Sequence, residues 1–189
     1  MLKPLISILA ILLIALPVSS VSADEYDDTI SIFRNAGASG SFFQSAYGYA
    51  VFPTIGKGGF VVGGAYGKGR VYQQEGYVGD TSVIQVTLGY QLGGQAYSQI
   101  IFFEDQRAFN EFTRGNFEFS AEANAVAITA GASAAATTTG SSAGASGGRK
   151  DATTVGGYYK GMATFTVAKG GLMGAATLGG QKFDYKPRT

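Results

Sequence analysis

Cysteine, histidine and tryptophan are all absent from this 189-residue chain, and charged residues make up only 14 % of it. Without Cys or His there can be no disulfide, no thiolate or imidazole metal ligand and no nucleophile–His catalysis. Lys and Arg number 14 against 13 Asp and Glu. No global positive field therefore draws in nucleic acid, and any basic site has to be local. What the chain does have is glycine, at 29 residues, about twice the usual ~7 % share. The glycines follow no three-residue period and sit among Val, Tyr and Phe, which points to tightly turning, closely packed β-structure. At 46 % hydrophobic, the chain has ample apolar area for one domain with its own core.

Residues 1–23 read as a signal peptide. Lys3 gives a positive start, Leu5 to Leu16 form an apolar run too short to span a bilayer comfortably, and Val21-Ser22-Ala23 supplies small residues at a cleavage site. Cleavage after Ala23 leaves Asp24 to Thr189, with basic and acidic residues balanced at 13 each. An uncleaved anchor is the alternative, and the lack of Cys excludes a lipoprotein anchor. The expected location is periplasmic or secreted, peripheral on a membrane. There a Cys-free chain is held by its core alone.

Residues 24–46 open with Asp24, Glu25, Asp27 and Asp28, acids that favour a helix N-terminus, so a short helix and a loop are expected. From residue 47 the texture becomes β-branched and aromatic, broken by glycines. Tyr47 to Pro53, Gly59 to Tyr66, Arg70 to Tyr72 and Thr81 to Tyr90 read as strands. In the last of these, Val83, Gln85, Thr87 and Gly89 alternate with Ile84, Val86, Leu88 and Tyr90, predicting one packed face and one mostly polar face. Gln95 to Phe103 is a buried strand. Glu104 to Gly115 is the clearest helix: Asp105 caps it, Ala108, Phe109 and Phe112 form its apolar face, and Gly115 stops it. The stretches 116–119 and 121–130 return to alternation. Residues 132–148 form an Ala/Ser/Thr/Gly tract with no bulky side chain, read as a flexible excursion. Strand-like sequence resumes from Val155 to Tyr185. The fold class is therefore β-rich α+β: a single compact antiparallel β-domain, residues 47–189, with one or two packing helices.

One echo stands out: Thr54-Ile-Gly-Lys57-Gly-Gly-Phe60 recurs as Thr166-Val-Ala-Lys169-Gly-Gly-Leu172. It marks either two equivalent hairpins or shared turn chemistry. Gly144-Ala-Ser146-Gly-Gly148 fits the hydrolase-elbow pattern but lacks the required His and the strand–helix context. Gly56-Lys57 and Gly67-Lys68 lack the remaining features of a phosphate loop and read as turns. The carboxylates Glu104, Asp105, Glu111, Glu118 and Glu122 read as a solvated face, since no second catalytic element accompanies them. What remains is Lys57, Lys68 and Arg70 in glycine-rich surroundings. There Lys or Arg and exposed backbone N–H groups can hold an anionic head group, or the same charges can simply solubilise turns.

Gly48-Tyr-Ala-Val-Phe-Pro53, Gly58 to Gly69, Leu88-Gly-Tyr-Gln-Leu-Gly-Gly-Gln-Ala-Tyr97, Asn116-Phe-Glu-Phe119 and Lys169-Gly-Gly-Leu172 together resemble the SYLF domain family, in order from about residue 42 to 185. The resemblance implies a binding module without catalytic residues or cofactors. Eukaryotic members bind phosphoinositides and other anionic lipids, and some bundle actin; bacterial members are commonly exported. The acidic residues 24–28 depart from the basic segment that assists eukaryotic members, and a bacterial export context argues against actin. The expected function is an exported, non-catalytic module for anionic phospholipid or a membrane surface, with Lys57, Lys68, Arg70 and Lys169 at the head group and Tyr66 or Tyr72 at the polar boundary. A small outer-membrane barrel or envelope structural protein, and a protein-interaction scaffold, are the alternatives.

Overall fold

Alternating aromatic, β-branched and glycine residues build a curled sheet, eight-stranded among the described residues, with helices on both faces. The computed structural model describes residues 24–59, 62–88, 95–119, 126–128, 157–169 and 180–189. The expected signal peptide at 1–23, the small-residue tract at 132–148 with Ser146, and Glu122 lie outside the described residues. In chain order the elements are α1 (Asp24–Asn35), α2 (Phe42–Ser45), β1 (Gly48–Gly59), β2 (Val62–Gln73), β3 (Gly76–Leu88), β4 (Gln95–Phe103), α3 (Gln106–Thr113), β5 (Phe117–Glu118), β6 (Val126–Ile128), β7 (Met162–Ala168) and β8 (Gln181–Pro187).

The sheet order is β5-β8-β3-β2-β1-β4-β7-β6. All neighbours are antiparallel except β6, which runs parallel to β7. The β-rich α+β expectation holds, with a third helix added. Several strand boundaries differ from the sequence reading, β3 among them, which begins at Gly76. Gly59 closes β1, and residues 62–73 form one strand, so Lys57-Gly-Gly59 is paired strand, with Lys57 opposite Ala65 and Gln95. Pro53 does not end β1, because the register shifts around it, between Val51 and Thr54 towards β2 and between Phe52 and Ile55 towards β4. Such a bulge accommodates a residue that has no N–H to donate. Of the two echo copies, Lys57 is paired strand in β1 and Lys169 follows β7; the restart after Lys169 lies outside the described residues.

The concave face carries Phe52, Ile55, Val83, Ile101, Phe103 and Phe183 under the α3 residues Ala108, Phe109 and Phe112. Asp105 caps α3 by accepting from the Ala108 N–H at 2.8 Å, and Gly115, at φ +91°, follows the helix end, as the sequence predicts. Close approach explains Gly67 and Gly69 of β2. A Cβ at Gly67 would stand 2.7 Å from Ile55 Cγ1, and one at Gly69 2.6 Å from Phe52 Cδ1. Across the curl, the Gln99 and Gln181 amides donate to each other at 3.1 and 3.3 Å, and Gln181 also donates to the Tyr97 hydroxyl at 3.1 Å. This buried group ties β4 to β8, which are far apart in the sheet order, and it satisfies polar atoms that burial would otherwise penalise.

Among the described residues, helices cover one half of the convex face. Ile30 and Phe33 of α1, with Phe42 and Phe43, pack on Tyr49, Val51, Ile100, Phe102 and Phe165 of β1, β4 and β7. Phe42 stacks on Phe102 with centroids 5.4 Å apart, and Phe43 meets the same ring edge-on at 4.9 Å.

Candidate functional site

Among the described residues, nothing covers the convex face of β2, β3 and β8 around Tyr66, Ile84 and Val86, and its residues follow from strand alternation. Directly paired residues of antiparallel strands share a face. Thr54, Lys68, Ser82 and Asp184 therefore form one cross-strand row, Tyr66, Ile84 and Lys182 the next, and Arg70, Asp80 and Lys186 a third. Tyr66, Ile84 and Val86 stand 51, 56 and 65 % exposed, while Val83 and Gln85 are buried. The alternation read in the sequence is real, but its polarity is partly reversed: the buried set includes Gln85, and the large aliphatics Ile84 and Val86 face outwards. The concave side is already filled by aromatic rings from β1, β4 and α3.

A groove of about 410 Å³ runs along this face, lined among others by Tyr26, Tyr66, Lys68, Arg70, Asp184 and Lys186. The Arg70 guanidinium lies 4.1 Å from the centroid of the Tyr26 ring and 5.1 Å from that of Tyr77, contacts favourable for a cation over an aromatic face. Tyr77 in turn donates to Asp80 at 2.7 Å. Burial pushes the Tyr26 hydroxyl above the usual phenol range, partly offset by Arg70, so both tyrosines are neutral donors at ordinary pH.

Of the four cations expected at the site, Lys68 and Arg70 line the groove. Lys169 reaches the same face beside it, donating to Thr54 Oγ1 at 2.8 Å and to Glu25 Oε1 at 3.3 Å. Lys57 stands apart: its partner Ala65 belongs to the concave core, so the strand directs Lys57 to the opposite side of the sheet. Tyr66 is at the surface, whereas Tyr72 is buried and stacked on Tyr49 at 5.0 Å. Sequence reading missed Lys182, Lys186, Ile84 and Val86. The alternation of Lys182, Asp184 and Lys186 with Gln181, Phe183 and Tyr185 was the available signal. The carboxylates Glu104, Asp105, Glu111 and Glu118 are exposed and form no acid–base pair: Asp105 caps α3, Glu111 pairs with Arg107 and Glu118 with Lys182. Among the described residues, no group of acidic side chains is placed to hold a metal ion.

The sequence profile of the Ysc84 family, described as Las17-binding protein actin regulator, matches residues 84–186. The chain belongs to this family, the SYLF family. It is a family of binding modules, and the matched span runs from the middle of β3 into β8, including Ile84, Val86, Lys182 and Lys186. Beta cell expansion factor A of Aeromonas veronii is 26 % identical over 155 residues, which cover 82 % of this chain and 51 % of the relative. The chain thus spans about half the length of the curated relative it matches.

Proposed function

We propose that the chain is a non-catalytic, exported lipid-binding module whose open convex face recognises anionic phospholipid. The observation that carries this reading is the placement of exposed Tyr66, Ile84 and Val86 next to Lys68, Lys182 and Lys186 on three adjacent strands. Aliphatic side chains that the fold leaves in water are available to enter the interface of a bilayer, each worth on the order of 1 kcal/mol for about half of a full burial. Each lysine near an anionic surface adds about 1 kcal/mol, and Asp80 and Asp184 subtract from that. Tyr66 suits the boundary, with an apolar ring and a polar tip. Among the described residues no helix is long and apolar enough to cross a membrane, and this face offers peripheral attachment. Family membership supports a lipid or protein ligand over a substrate. The barrel alternative is not favoured, because α1 and α2 cover part of the convex face that would have to meet lipid.

The test is sedimentation of the purified protein with phosphatidylcholine vesicles and with vesicles of equal parts phosphatidylcholine and phosphatidylglycerol. Binding should be strong to the anionic vesicles, weak to the neutral ones and reduced by high salt, which screens the attraction. Ile84→Ser combined with Val86→Ser should lower the anionic affinity about tenfold, from on the order of 1.4 kcal/mol of lost insertion, with an unchanged circular dichroism spectrum. Equal, salt-insensitive binding to both vesicle types, or no effect of the double substitution, refutes the reading.

A further inference from the structure

The first turn of α1 sits among the cations of the proposed membrane face. Glu25 Oε1 accepts from Lys169 Nζ at 3.3 Å and from Thr54 Oγ1 at 2.9 Å, and Thr54 is the cross-strand neighbour of Lys68. One residue on, the Tyr26 ring covers the Arg70 guanidinium at 4.1 Å. The anchoring of α1 lies further along. Thr29, Ile30 and Phe33 are buried, whereas Glu25, Asp27 and Asp28 are exposed and Tyr26 is only partly buried. The turn is thus fastened by polar and cation–aromatic contacts to groups that an anionic surface would also bind. It is itself acidic, so such a surface would repel it.

Building on the membrane reading above, we infer that the first turn of α1 is an autoinhibitory latch: Glu25 and Tyr26 occupy Lys169 and Arg70 in solution, and an anionic membrane displaces the turn to claim both cations. Ile30 and Phe33 keep the rest of the helix docked, so the motion is confined to one turn. Exposed ion pairs contribute little to stability, which makes this contact cheap to exchange.

The acids at 25–28 also favour a helix N-terminus whatever else they do, so the test needs a control in the same turn. Glu25→Gln and Asp28→Asn remove the same charge from the same helix end, yet only Glu25 touches Lys169. Glu25→Gln should raise partition onto the equal-parts phosphatidylcholine and phosphatidylglycerol vesicles roughly two- to fivefold, the range an exposed ion pair corresponds to. Asp28→Asn should raise it distinctly less. Adding Lys169→Gln to Glu25→Gln should abolish the gain. Amide hydrogen exchange in residues 25–28 should accelerate when the wild-type protein binds these vesicles, while exchange in residues 30–35 stays slow. Equal effects of Glu25→Gln and Asp28→Asn, or slowed exchange in the first turn, overturn the latch while leaving the membrane reading intact. No binding by the wild type or by any variant overturns both.

Discussion

The two halves of the convex face are built from the same kind of strand and end in opposite states. Over β1, β4 and β7 the outward side chains Tyr49, Val51, Ile100, Phe102 and Phe165 are buried beneath α1 and α2. Over β2, β3 and β8 the outward Tyr66, Ile84 and Val86 remain in solvent. Composition does not separate the halves, since both present aliphatic and aromatic groups. A helical cover does. An apolar residue under that cover stabilises the fold, and the same residue beyond it is available to a partner, because exposed contiguous apolar groups mark interaction surfaces.

Truncation at matched positions breaks the comparison most sharply. Phe102→Ala removes a fully buried ring that contacts Phe42, Phe43 and Phe165, and should cost about 3–5 kcal/mol in urea unfolding. Ile84→Ala, on the open half, should stay within about 0.5 kcal/mol of the wild type. Comparable losses from the two would mean that the open half is a covered core after all.

Alkaline titration gives the next largest effect, because it reads the interior directly. Burial raises the Tyr97 hydroxyl to about 12, slightly offset by the bond from Gln181, and burial with the neighbouring Tyr72 raises Tyr49 to about 12. Between pH 10 and 12 the unfolded chain releases these protons while the folded chain keeps them. Stability is therefore full below about pH 10 and falls as pH rises to about 12, by on the order of 2 kcal/mol for each group. Ultraviolet titration should show these two tyrosines ionising late, and Tyr97→Phe should remove part of the alkaline loss. A single unresolved tyrosine transition would contradict the burial of Tyr97 and Tyr49.

How far the sequence discloses this architecture depends on which physical signal each element carries. α3 is legible residue by residue, because Asp105, Phe109, Phe112 and Gly115 are local signals with fixed spacing. β4 is equally plain, its run to Phe103 being buried on both faces. The polarity of β3 is not local. Period-two alternation divides residues 83–86 into two sets, but which set faces inwards depends on what already fills the concave side, and that is supplied by β1, β4 and α3. The same limit applies to the expected binding residues. Lys68 and Arg70 lie two apart and so share a face, while Lys57 reads as their neighbour until the bulge at Val51–Thr54 and the register opposite Ala65 place it on the other side. The contact of Lys169 with Glu25 spans 144 residues and leaves no trace in spacing.

The smallest expected effect tests that division of the cations. Lys68→Glu and Lys57→Glu change net charge equally and lie in paired strands of one hairpin, but Lys68 stands on the open convex face and Lys57 on the concave one. If only overall charge governed attraction, both substitutions would weaken binding to anionic vesicles to the same degree and with the same salt dependence. If the convex face meets the membrane, Lys68→Glu should cost on the order of 1 kcal/mol for the lost attraction, roughly a fivefold drop in partition, and somewhat more for the repulsion it introduces. Lys57→Glu should change partition by less than about twofold, because the sheet holds its charge away from the surface and salt shortens the reach of any residual field to about 8–10 Å. Measuring both at two salt concentrations separates the cases: the gap between the variants should narrow as salt rises, since it originates in proximity to the charged lipid. A Lys57→Glu loss equal to that of Lys68→Glu would place the contact on the other side of the sheet, or on no defined side.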